Sequence, residues 1–296
     1  MIYLDNSATT LIKPHCVRGA FSKALSDYSA NPGRSGHSLS VRTAEAIYSA
    51  REKICEFFGA DDPAKVAFTM NCTQALNMVI KGVLQPGDHC IVSSMEHNAV
   101  MRPVYALSKT GVEYDEAHIV PGNDLETVNA FERLIKPNTK LIVCTHASNV
   151  WGVRMPIEKI GKMCHSRGIL FAVDAAQSAG VLPIDMCTMN IDFLCIAPHK
   201  GLYSPAGLGI MIANCDIKLS TIIEGGTGTF SSSLEQPADM PERLESGTIN
   251  TPGIIACAAG VDFVKSKTLN KIHSYEMELI KRLYVELGNI EGVELY

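Results

Sequence analysis

The chain has 296 residues, 26 Lys+Arg against 31 Asp+Glu, a formal net charge of −5 and 46% hydrophobic residues. So large an apolar share with so small a charge excludes a mainly disordered chain, and the slightly acidic balance excludes a broad basic face for nucleic acid. No run reaches the roughly 18 apolar residues of a membrane span. The first residues carry neither a basic nor an apolar leader segment, so a soluble, cytoplasmic α/β protein is expected.

In chain order, Val41, Ala44, Ile47, Tyr48, Ile54, Cys55 and Phe58 recur at helical spacing, with Gly59 where such a helix would stop. Residues 66–70 read as a strand, 73–82 as a helix, 89–93 as a strand and 99–109 as a helix. Leu125, Val128, Phe131, Leu134 and Ile135 mark a further helix that Pro137 ends, and 141–145 is a strand. A helix at 157–167 and strands at 169–173, 192–197 and 209–212 follow. After about residue 254 the pattern turns to long helices, including 269–287, and residues 292–296 look like the start of a strand. Alternation of this kind predicts a mostly parallel sheet with crossover helices. There is no internal repeat.

The ten cysteines contain no C-x-x-C pair, and most sit in apolar strands or helices, so they read as small core residues rather than a zinc site.

Ligands of open α/β sheets gather beyond the carboxyl ends of strands. Four polar groups stand there. Asn71-Cys72-Thr73-Gln74 opens a helix, where free amides and a threonine hydroxyl suit a phosphate; taken alone, Thr73 reads as a plain helix cap. His97 follows strand 89–93 as a base, a stacking ring or a loop side chain. Asp174 ends an apolar strand, where a carboxylate needs a partner such as a protonated pyridine nitrogen; an ordinary cap on the next helix is the alternative. Gln177 follows at a spacing that aims it at the same pocket. Lys200, after strand 192–197, is either a solvated charge or an amine placed to form a Schiff base. Together the four supply a phosphate turn, a ring-sized side chain, a carboxylate and an amine, a set that fits pyridoxal 5′-phosphate. A nicotinamide-binding fold is the weakest rival, because no G-x-G-x-x-G opens the first strand–helix turn.

The order of these groups, and the words Tyr3-Leu-Asp-Asn-Ser-Ala-Thr-Thr10, Asn31-Pro-Gly-Arg-Ser-Gly-His37, Met95-Glu-His-Asn98, Ser148-Asn-Val-Trp-Gly152, Val173-Asp-Ala-Ala-Gln177, His199-Lys200 and Glu245-Ser-Gly-Thr-Ile-Asn-Thr251, resemble the class V aminotransferase-fold enzymes. Within that class the likeness is to cysteine desulfurases and selenocysteine lyases. The resemblance implies fold type I, with a mostly parallel seven-stranded sheet covered by helices on both faces. It divides the chain into a cofactor domain at 1–253, with an arm at 1–15, and the start of an incomplete α+β small domain at 254–296.

By the same resemblance Lys200 is the Schiff-base lysine, Asp174 pairs with the pyridine nitrogen and His97 stacks on the ring. Gln177 bonds the phenolic oxygen, and Asn149 lies at the same edge. Cys72, Thr73 and His199 hold the phosphate. Thr248 reaches a phosphate across a subunit interface, which implies a homodimer; Gly225-Gly-Thr-Gly228 either approaches it too or is a flexible turn. A serine usual just before the His-Lys pair is replaced by Ala197-Pro198, removing one expected hydroxyl from the cup. The implied reaction converts L-cysteine to L-alanine and passes sulfur through a persulfide to an acceptor protein. Other class V reactions, or a non-catalytic scaffold, remain the alternatives. The resemblance places the persulfide cysteine and a carboxylate-binding arginine beyond residue 296, so the chain is expected to bind the cofactor without the full desulfurase apparatus.

Overall fold

The computed structural model describes residues 2–33, 36–229 and 232–295. Two helices, α1 (His15–Asp27) and α2 (Ser38–Phe57), precede strand β1 (Val66–Thr69) and helix α3 (Cys72–Val83). Strand β2 (His89–Ser93), α4 (Asn98–Ser108), β3 (Glu113–Ala117), α5 (Asp124–Arg133), β4 (Thr139–Thr145), α6 (Ile157–Arg167) and β5 (Leu170–Asp174) alternate through the middle of the chain. Strands β6 (Phe193–Ile196) and β7 (Gly209–Ala213) complete the sheet, and α7 (Thr251–Lys267) and α8 (Leu269–Gly288) follow.

The seven strands lie in the order β1-β7-β6-β5-β4-β2-β3. Neighbours pair in parallel except at β7, which runs against both β1 and β6, so the other six strands share one direction. The expected seven-stranded, mostly parallel sheet is therefore present. Both of its faces are covered, which is why the central strands read as unbroken apolar runs. Alternation sends Val66, Phe68, Ile142 and Cys144 into a core with α2, α5, α6 and α7, and Ala67, Leu141 and Val143 into a second core with α3 and α4. Helix α7 shares the first core through Ile254, Cys257, Val261 and Val264, whereas α8 buries none of its residues.

Two elements carry too little apolar signal to be read from the sequence. Strand β3 (EYDEA) is the sheet's edge, and only Ala117 is buried. Helix α1 buries only Val17 and Ala24, against α7. The strand expected at 292–296 does not form: residues 293–295 belong to no strand, and Tyr296 lies outside the described residues. Arg34 and Ser35 of the quoted Asn31–His37 word also lie outside them.

Candidate functional site

At the carboxyl edge of β1, β2, β4, β5 and β6 a cavity of about 160 Å³ is lined by Cys72, Thr73, His97, Asn149, Asp174, Gln177, Ala197, His199 and Lys200, among others. The fold thus gathers eight of the nine candidate residues in one place. Thr248 is the exception: with Gly226 and Thr227 it lines a separate groove of about 690 Å³.

The turn from β1 into α3 is capped by Asn71, whose Oδ1 accepts the Gln74 amide at 2.9 Å. Thr73 is not the cap, so its hydroxyl is free of that task. The Cys72 and Thr73 amides, in the first turn of α3, donate to no protein acceptor among the described residues. Unpaired amides at the positive end of a 12-residue helix suit an anion. The turn depends on Gly209 of β7, where a Cβ would stand 2.2 Å from the Asn71 carbonyl carbon.

Asp174 ends β5 at 4% exposure. Its Oδ1 accepts the Ala176 amide at 2.9 Å and the Cys72 thiol at 3.8 Å. Both protein hydrogen bonds fall on Oδ1, so Oδ2 is left for a ligand donor. Burial pushes the Asp174 carboxyl above its ordinary range, opposed by the Ala176 amide and by His97 and Lys200 nearby. Among the described residues it has no ion-pair partner. A buried carboxylate without an ion-pair partner, sharing one cavity with a lysine and with unpaired helix amides, is the donor set a phosphorylated pyridinium aldehyde requires. The residues present therefore fit pyridoxal phosphate.

His97 is the N-cap of α4: its Nδ1 accepts the Ala99 amide at 3.1 Å. The acceptor role places the proton of the neutral ring on Nε2. Burial, with Lys200 and Lys13 close by, holds His199 below the usual imidazole range, so it is neutral near pH 7. Burial raises the Cys72 thiol, and Asp174 beside it adds to the effect, so this cysteine is a poor nucleophile here.

Two contributors were given no role in the site by the sequence. Glu96 lies behind His97, where its Oε1 accepts the Ser93 hydroxyl and, at 2.7 Å, the Thr145 amide. Its Oε2 is buried without a partner, and burial pushes the carboxyl up to about 8. Its place beside His97 after an apolar strand was the available signal. The second is the N-terminal arm. Ser7 accepts the Gln177 amide at 3.3 Å, and Thr9, Thr10 and Lys13 contact His199. A short polar run at a terminus has no periodicity to announce such a contact.

The sheet order, with a lysine just past β6 and an aspartate ending β5, defines a fold type I enzyme, a class dependent on pyridoxal phosphate. The chain belongs to the aminotransferase class-V family, whose profile matches residues 2–296. It is 31% identical to a probable cysteine desulfurase of Methanothermobacter thermautotrophicus, over all of this chain and 74% of that protein. It is 36% identical to the cysteine desulfurase IscS of Edwardsiella ictaluri, over 99% of this chain and 70% of that protein. The apo structure of the cysteine desulfurase from Thermococcus onnurineus NA1 superimposes with a TM-score of 0.89 at 30% identity, covering 97% of this chain and 73% of that one.

Proposed function

We propose that the protein is a cysteine desulfurase, converting L-cysteine to L-alanine with sulfur leaving through a persulfide. The observation that carries this reading is the convergence of Lys200, Asp174, His97 and the open amides of α3 on one cavity, in a chain whose relatives bear that name. When bound, pyridoxal phosphate supplies an electron sink for the substrate Cα. Lys200 would hold the aldehyde and then move the proton at Cα. Asp174 would keep the proton on the pyridine nitrogen, and His97 would stack on the ring. Gln177 and Asn149 would meet the phenolic edge. The amides of Cys72 and Thr73, the Thr73 hydroxyl and His199 would hold the phosphate.

Thr248 lies away from this chain's own cavity, which supports a homodimer in which it serves the other copy's phosphate. Sulfur transfer requires a thiolate to attack the substrate sulfur. Cys55, Cys90, Cys144, Cys164, Cys195 and Cys257 are buried, Cys16 and Cys187 are exposed but do not line the cavity, half-buried Cys215 lines a different pocket, and burial holds the thiol of cavity-lining Cys72 protonated. The persulfide step therefore draws on a thiol outside the set that lines the site, and an acceptor protein takes the product. The test is incubation of the cofactor-loaded protein with L-cysteine and a reductant, scoring alanine and sulfide, with Lys200→Ala as the blank. Pyruvate or a keto acid in place of alanine would assign the site to another class V reaction. A colourless protein that takes up no cofactor would overturn the reading.

A further inference from the structure

The peptide joining His199 to Lys200 is held from outside its own loop. The His199 carbonyl receives the Thr10 amide at 3.3 Å, the Thr10 hydroxyl at 3.0 Å and the Lys13 ammonium at 2.9 Å. Lys13 also donates to the Thr10 hydroxyl at 2.6 Å, so that hydroxyl donates its hydrogen bond to the carbonyl while accepting one from the ammonium. Thr9 Oγ1 stands 3.0 Å from His199 Nδ1. On the other side of the peptide, the Lys200 amide donates to the Ala197 carbonyl at 3.1 Å.

A peptide unit is rigid and planar, so fixing its oxygen and its N–H also fixes the Cα that follows. Here that Cα belongs to Lys200. With the Thr9 hydroxyl at 3.4 Å, four donors stand around one carbonyl, more than an ordinary turn supplies, and the charged donor is the strongest of them. The ammonium is half-buried and burial lowers its pKa, a cost a surface lysine would not carry.

We propose that residues 9–13 form a clamp, with Lys13 as its principal positioning residue, that sets the backbone of Lys200 for bonding to the cofactor aldehyde. The proposal rests on the reading of Lys200 as the cofactor lysine. Lys13 does not line the cavity, so it acts through the His199 carbonyl and not by touching the cofactor.

The test compares the cofactor-loaded wild type with Lys13→Met, Thr10→Val and Lys13→Arg. Total bound pyridoxal phosphate is measured after release, and the share attached to Lys200 is trapped with borohydride and read by peptide mass. Loss of one charge-assisted hydrogen bond corresponds to roughly a fivefold or larger fall in the ratio of covalently to non-covalently held cofactor. That fall is expected in Lys13→Met with total binding little changed, with Lys13→Arg recovering toward wild type. Backbone amide exchange over residues 197–203 is read in the same proteins without cofactor and is expected to quicken in Lys13→Met. Unchanged exchange there, or an unchanged covalent ratio, overturns the clamp. A wild type that takes up no cofactor overturns the functional reading instead, and the exchange result still decides the clamp.

Discussion

Replacing Glu96 by Gln reads the energetic cost of a buried acid next to His97. The carboxyl rises from an ordinary 4.5 to about 8, chiefly through burial, and Oε2 has no partner. The folded state thus binds this proton more tightly than the unfolded chain. Stability from this group is full below about pH 4.5, falls as pH rises toward about 8, and is level beyond. With these two values the penalty is about 1 kcal/mol at pH 5 and about 3 kcal/mol at pH 7, so the wild type loses roughly 2 kcal/mol between them through Glu96. Glutamine cannot ionise and keeps an oxygen for the Ser93 and Thr145 donors. Denaturant unfolding of both proteins at pH 5, 6 and 7 should therefore show Glu96→Gln gaining on the wild type as pH rises. Asp174 shifts in the same direction and its charge adds to the rise of Glu96, so the difference reports Glu96 together with its coupling to Asp174. Parallel pH dependences in the two proteins would refute the reasoning.

Arg51 and Glu245 form a buried ion pair at 2.6 Å, and Glu245 also accepts the Phe68 amide at 2.6 Å, tying the loop that carries Thr248 to β1. Arg51→Met leaves an uncompensated buried carboxylate and should cost about 3–5 kcal/mol in urea unfolding; a loss under about 1 kcal/mol would contradict the burial argument. Gly209→Ala forces a methyl against the Asn71 backbone, so pyridoxal phosphate binding, measured by equilibrium dialysis, should weaken at least tenfold while Gly209→Ser fares no better. In native thiol labelling Cys16 and Cys187 should react first, and cofactor loading should protect Cys72 but not those two. Labelling of Cys72 at the same rate with and without cofactor would place the ligand elsewhere.

The strands that build the cores were legible because burial on both faces demands continuous apolar runs; β2 and α6 fall where the pattern puts them. Strand β3 was not, since an edge strand with an exposed face keeps charged residues and mimics a loop. The strand expected at 292–296 shows the converse: Val293 and Leu295 alternate, but among the described residues no strand pairs with them. At the site, Asp174 stood out because a charge closing an apolar strand is costly without a purpose, and Lys200 because it follows the end of the next strand. Thr73 was misjudged as a cap because Asn71, one of the strongest capping residue types, stands two positions earlier. The arm was marked out at 1–15, but its contacts stayed hidden because they are with residues far along the chain.

That separation has a consequence for assembly on the ribosome. Lys13 and the carbonyl it grips are 186 residues apart. At about 5–20 residues per second, the arm waits on the order of ten seconds or more before His199 is even synthesised. The loop it closes is among the longest in the protein, and long-range closures form late. The first segment made is thus among the last to dock, and the His199–Lys200 peptide of a nascent chain lacks its outside contacts until the chain's own beginning folds back over it.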